Sequence, residues 1–124
     1  MIGDLIDANE NMATSRFLIN SDNILVEEGV FSVSGLLENI AQTAAAQVGY
    51  LCAQNNIPVP IGFIGAISKV KVDKLPQLNS IIETLIEVKQ EIFDVILISG
   101  EVKQEGKSLI SCQMKIMIAK KNIE

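Results

Sequence analysis

Within Ser34-Gly-Leu-Leu-Glu-Asn-Ile-Ala-Gln42 stands one carboxylate, Glu38, the only ionised residue of a long, otherwise neutral and largely apolar stretch. A carboxylate in such surroundings can hold or release a proton at a reacting centre, which is the basis of general acid/base catalysis. The commonest partner for that chemistry is missing, because the chain contains no histidine. Three arrangements follow: Glu38 works alone, it borrows a partner from elsewhere, or the site does not turn over. The bland alternative is an acid near a helix start, stabilised by the helix macrodipole. Gln42 lies one turn later, where it can bond to Glu38 or to a bound polar group, or serve as an ordinary polar helix residue. Asn23, in the turn pair Asp22-Asn23, can orient a carbonyl or a water, although a turn residue needs no such role.

The elements that must position these residues fit in one domain spanning 1–124, long enough for a single hydrophobic core. Hydrophobic residues at 48% and charged ones at 20% describe a compact globular chain rather than a disordered one. With no Trp and only 4% aromatics, Ile, Leu, Val and Ala must fill the core. A net charge of -5 argues against general nucleic-acid binding, which needs a basic surface. No apolar run approaches the roughly 20 residues that cross a bilayer. The first residues lack the basic flank of a secretory signal, so a cytoplasmic location is expected. Cys52 and Cys112 lie far apart without metal-ligand spacing and read as reduced thiols.

Residues 1–12 read as a short amphipathic helix through Ile2, Leu5 and Ile6, and Thr14 to Asn20 as a first strand. A turn falls at Asn20 to Asn23, with a loop through Glu27 to Val30. The strongest helix runs from Ser34, a plausible N-cap, to about Asn55, with Leu37, Ala41, Ala44, Val48 and Leu51 as its apolar stripe. Strands follow at Ile61 to Val72, Ile81 to Glu91, Val95 to Gln104 and Ser108 to Ala119, with a hairpin turn at Glu105-Gly106-Lys107. A long helix followed by consecutive strands with short connections predicts an α+β architecture, an antiparallel sheet packed on one helix.

Two segments carry a resemblance. Gly35-Leu-Leu-Glu-Asn-Ile-Ala-Gln42 resembles the helix start of bacterial 3-hydroxyacyl-acyl-carrier-protein dehydratases, which carry a glutamate followed four residues later by the glutamine of an Ala-Gln pair. Gly65-Ala-Ile-Ser-Lys-Val-Lys-Val72 followed by Leu75-Pro76 is similar to that family's Gly-Ile-Asp-Lys strand and its Val-Pro-Gly-Asp turn. The two motifs in this order span the chain from about residue 14. The resemblance implies the hotdog fold, in which a curved antiparallel sheet wraps a long helix and two protomers pair their sheets edge to edge. The departures are specific. The family's histidine, within a His-Phe-Pro signature, falls on Ile24 in an ungapped reading or on Asn23 after a one-residue slip. Ser32-Val33 replaces the Pro-Gly before the helix, and Gln77-Leu78 replaces the Gly-Asp of the turn.

By resemblance, the substrate is an acyl thioester carried on the phosphopantetheine of acyl carrier protein or on coenzyme A, with no further cofactor. Glu38, Gln42 and Asn23 are then the catalytic candidates. Substrate-binding candidates are Ser34 and Gly35 through their backbone N–H groups, Gly65 within the strand motif, and Lys69 and Lys71. The two lysines share a face of the expected strand, where they meet an acidic carrier or a phosphate, or form a solvated face that discourages edge pairing. Three functions compete: a dehydratase-like subunit of fatty-acid or polyketide-type synthesis, an acyl-thioesterase using Glu38, and a non-catalytic acyl-binding module. The first implies a homodimer, or a heterodimer completed by a histidine-bearing hotdog subunit.

Overall fold

The computed structural model describes residues 3–19, 26–27, 30–58, 60–77 and 79–119, with the backbone alone at 26, 27, 30, 31, 61 and 119. The chain runs β1 (Asp4–Ala8), β2 (Met12–Leu18), β3 (Val26–Glu27), β4 (Val30–Phe31), α1 (Val33–Gln54), β5 (Ile61–Val72), β6 (Ile81–Ile92), β7 (Val95–Gln104) and β8 (Lys107–Ala119). Six strands form one antiparallel sheet in the order β1-β2-β6-β7-β8-β5, so β1 and β5 are its edges. The short β3–β4 pair leads into α1, which lies across one face of the sheet. This is the α+β arrangement expected from the sequence. No helix among the described residues is long and apolar enough to cross a membrane.

The expected N-terminal helix is a strand instead. Asn9 Oδ1 accepts the N–H groups of Asn11 at 2.8 Å and Met12 at 3.0 Å, folding the chain back so that Asp4 and Leu5 pair with Arg16 and Ser15. The sheet edge thereby gives these backbone groups partners that a short isolated helix would supply less securely.

At the start of α1 the cap is Ser32, not Ser34: Ser32 Oγ accepts the Gly35 N–H at 3.0 Å. The helix stops as the Asn-rich sequence suggests. Asn56 takes a left-handed φ of 54°, while its N–H and that of Ile57 reach back to Ala53 O and Cys52 O. A left-handed pair, Glu105 and Gly106, makes the two-residue turn between β7 and β8.

Alternation on the central strands buries Ile82, Thr84 and Ile86 of β6, Ile96, Ile98, Gly100 and Val102 of β7, and Ile110, Cys112 and Met114 of β8. Against them α1 sets Leu36, Asn39, Ile40, Thr43, Ala44 and Gln47, a stripe at three- and four-residue spacing. Half of that stripe is polar and is tied down by hydrogen bonds. Thr84 Oγ1 donates to Asn39 Oδ1, and the Ser15 and Thr43 hydroxyls share a bond of 2.7 Å. Thr43 Oγ1 also donates to Asn39 O at 2.8 Å, so Ser15 supplies the proton between the two hydroxyls. Ile40 seats over Gly100, where a methyl group built on the glycine would overlap Ile40 Cγ2. Both cysteines are free thiols, and burial pushes Cys112 up to about 11, which keeps it protonated and unreactive at neutral pH.

The Ile40–Gly100 contact sets how closely the helix approaches the sheet. Gly100→Ala should therefore cost about 1–3 kcal/mol through overpacking. Ile40→Ala removes the overlapping Cγ2, so the double variant should lose less stability than the sum of the two single changes. Urea unfolding of the two single variants and the double variant measures the coupling, and simple additivity would show that the contact does not set the spacing.

Candidate active site

Beside the buried stripe, α1 presents a second face. Ala41, Ala44, Ala45 and Val48 form one wall of a groove of about 270 Å³, and Ile96, Ile98, Ile116 and Ile118 of β7 and β8 form the other. Pro60, Gly62, Phe63 and Ile64 close the side towards β5. The alanines keep the helix thin, so the space between helix and sheet remains open and apolar. The stripe expected to be core thus splits: Leu37 packs at the edge of the core, whereas Ala41, Ala44 and Val48 also line the groove. The true core stripe lies one residue round the helix, because Asn39, Thr43 and Gln47 are polar by composition but buried by hydrogen bonding.

Glu38 lines this groove, half-buried, and is its only ionisable side chain among the described residues. It is the sixth residue of α1, and the first turn holds no acid. The macrodipole acts mainly within that first turn and so gives little reason for a carboxylate here. Gln42 Nε2 donates to Glu38 Oε1 at 2.9 Å, and both side chains line the groove. That bond fixes one carboxylate oxygen and leaves the other, Oε2, for a ligand. A fixed carboxyl group at the wall of an apolar groove can deliver or accept one proton at a bound chain.

The remaining sequence candidates are dispersed. Ser34 is exposed on the first turn, and the Gly35 N–H is already donated to Ser32 Oγ; neither residue lines the groove. Gly65 sits at a register shift in β5, where a side chain would come within 2.9 Å of Met117 Cγ; its glycine answers to packing against β8. The regular alternation expected around Lys69 and Lys71 is broken by a second shift between Ser68 and Lys71, with Lys69 at φ 53°. Lys69 lines a depression on the outer face of the sheet with Glu87, Ser99, Glu101, Ser111 and Gln113, and Lys71 pairs with Ser111 beside it. The lysines are therefore on the opposite side of the sheet from Glu38. Asn23 and Ile24 lie outside the described residues. Among the described residues no cluster of three or more Cys, Asp or Glu side chains is placed to hold a metal ion.

The profile of the ApeP-like family, described as ApeP dehydratase, matches residues 1–124. The chain belongs to the ApeP-like dehydratase family. No curated protein sequence matches it. Solved structures share its architecture at low identity. The dehydratase heterocomplex ApeI:P from Xenorhabdus doucetiae matches with a TM-score of 0.88 and 13% identity, over 97% of this chain and 83% of that one. A hypothetical thioesterase from Streptococcus pneumoniae, solved with coenzyme A, gives 0.77 and 10%, over 97% and 88%. A Streptococcus mutans protein bound to acetyl coenzyme A gives 0.75 and 8%, over 97% and 90%. The fold of this ApeP-like chain is the hotdog fold.

Sequence reading of the ApeP-like chain missed the four groove isoleucines and Gln47. The isoleucines carry the same alternating signature as core residues, so hydropathy alone cannot separate a groove wall from a core. The paired signal that could have found them is the Ala44-Ala45-Ala46 run, which thins the helix wherever it faces a strand of large side chains.

Ala45 is exposed on the groove wall, so a larger side chain there should fill the groove without entering the core. Ala45→Phe should abolish binding of a fluorescent alkyl probe while leaving the melting temperature within a few degrees of wild type. Unchanged probe binding would show that the groove is not the apolar site.

Proposed function

We propose that this protein handles acyl thioesters as one half of a dehydratase pair, with Glu38 as the acid and a second hotdog subunit supplying the base. The observation that carries this reading is the lone carboxylate on an apolar groove, in a dehydratase-family chain that contains no histidine. Dehydration of a 3-hydroxyacyl thioester breaks the Cα–H bond and the Cβ–O bond. The partner's histidine takes the α-proton, the electron pair becomes the Cα=Cβ bond, and the hydroxyl leaves as water with the proton of Glu38. Transfer of a proton from the histidine back to Glu38, through solvent, resets the site. Gln42 holds Oε1, so that the proton on Oε2 faces the departing hydroxyl.

The β5 edge supports pairing with such a subunit. It is twelve residues long and exposes Phe63, Ile64, Ile67, Val70 and Val72, a long apolar edge of the kind that recruits another strand. The dehydratase neighbour from Xenorhabdus doucetiae is itself a heterocomplex. A phosphopantetheine arm of acyl carrier protein, or coenzyme A, would present the thioester. Lys69 and Lys71, on the outer face, can then contact an acidic carrier but not the acyl chain.

The likeness to a hypothetical thioesterase from Streptococcus pneumoniae supports a second reading. Hydrolysis of a thioester needs only a base to activate water, a role that Glu38 can fill alone.

Co-expression with a histidine-bearing hotdog subunit separates the two. The expected result is a stable complex that dehydrates 3-hydroxyacyl thioesters, with turnover lowered at least about a hundredfold by Glu38→Gln in this chain. Absence of a complex and of added activity would overturn the pairing. Hydrolysis of acyl thioesters by the protein alone, lost in Glu38→Gln, would establish the thioesterase instead.

A further inference from the structure

Gly62 is a glycine that the chain's own packing does not require. Gly100 and Gly65 are kept small by Ile40 and Met117, which stand where their side chains would be. A methyl group built on Gly62 meets nothing closer than Ile116 Cγ2 at 3.5 Å and Met117 O at 3.7 Å, which is ordinary van der Waals contact. Its backbone is not in the left-handed region either. Glycine inside a strand lowers stability, and it marks places where a ligand or another chain comes close.

The position of Gly62 tells from which side the approach is made. Gly62 pairs with Ile118 and Ile64 with Ile116, so both belong to the row of β5 that faces the groove, with Pro60 two residues before them. Pro60 and Ile64 raise side chains along this rim and Gly62 raises none, which leaves a gap between them. On one side of the gap is the free edge of the sheet, where Gly62 is exposed. On the other is the groove that Glu38 and Gln42 line.

The inference rests on the pairing reading above, in which the base that takes the α-proton belongs to a second subunit at the β5 edge. A base must come within about 2.6–3.2 Å, between heavy atoms, of the group whose proton it removes. The α-carbon adjoins the β-carbon whose hydroxyl faces Glu38, so a base arriving from that edge has to cross the β5 rim. Pro60 and Ile64 obstruct a ring-sized side chain, whereas Gly62 offers only backbone. We propose that Gly62 is the gap through which the second subunit's base enters the groove and reaches the α-carbon opposite Glu38. Gly62 is then a positioning residue, acting through the base that it admits.

The test uses the full chain co-expressed with a histidine-bearing hotdog subunit, as wild type, Gly62→Ala and Gly62→Val. Both variants should melt at or above the wild-type temperature, form the complex, and bind a non-hydrolysable 3-hydroxyacyl-pantetheine analogue within about twofold of wild type. Turnover should fall about tenfold in Gly62→Ala and at least about a hundredfold in Gly62→Val, with KM little changed. The fall in rate at low pH, which protonation of the base imposes on wild type, should be absent from the residual rate of Gly62→Val. Should the valine variant fail to fold, the alanine variant decides alone. Unchanged turnover in Gly62→Val would overturn the assignment. So would weaker binding of the analogue with turnover intact, which would make the gap a passage for the thioester arm, or loss of the complex, which would make it a pairing contact. If wild type itself forms no active complex, the pairing reading fails first.

Discussion

The register of α1 on the sheet is the constraint on which the site depends. Apolar packing alone would hold a helix against a sheet of isoleucines at several rotations of nearly equal energy. The buried bonds that Thr84 donates to Asn39 and Ser15 donates to Thr43 select one of them, because any slip would leave those groups dry and without these partners. Ile40 in the notch at Gly100 selects the same position by shape. A one-residue slip would roll the helix by about 100° and carry Glu38 off the groove. The position of the candidate acid is thus an outcome of the two residues that follow it.

From that register the division of labour between surfaces follows. One helix face closes the core, the next lines an apolar groove, and Glu38 with Gln42 occupies the border between groove and solvent. The outer face of the sheet carries the lysines and most of the nearby carboxylates. The β5 edge lies between the two faces, beside the groove, and a subunit joined there would meet the groove's open side. On the proposed pairing the absence of histidine is intelligible, because a second subunit at that edge would supply the base.

Much of this was legible in the residues. The Asn-rich helix stop, the Glu105-Gly106 turn and the long β5 to β8 strands are local signals, and the structure has them at nearly the expected bounds. Glu38 and Gln42 were legible as a pair because helical spacing alone brings them together. The first strand was not, since Asp4 to Ala8 gains its β-structure by pairing with β2, and only the Asn9 turn hinted at it. The rotation of the helix was hidden for a related reason. Hydropathy counts Asn39, Thr43 and Gln47 as surface residues, and only their distant partners, Thr84, Ser15 and Asn9, make burial tolerable. The bulge at Lys69 likewise depends on the facing strand β8, and no local pattern in β5 announces which face its lysines take.

The most direct measurement is a crystal structure with a 3-hydroxyacyl-pantetheine mimic bound. The acyl chain should lie between Ala45 and the comb Ile96, Ile98, Ile116 and Ile118, with its β-oxygen within about 3 Å of the Glu38 carboxylate. A ligand seated on the outer face by Lys69 and Glu101, or a chain in the groove with its β-oxygen turned away from Glu38, would contradict the account.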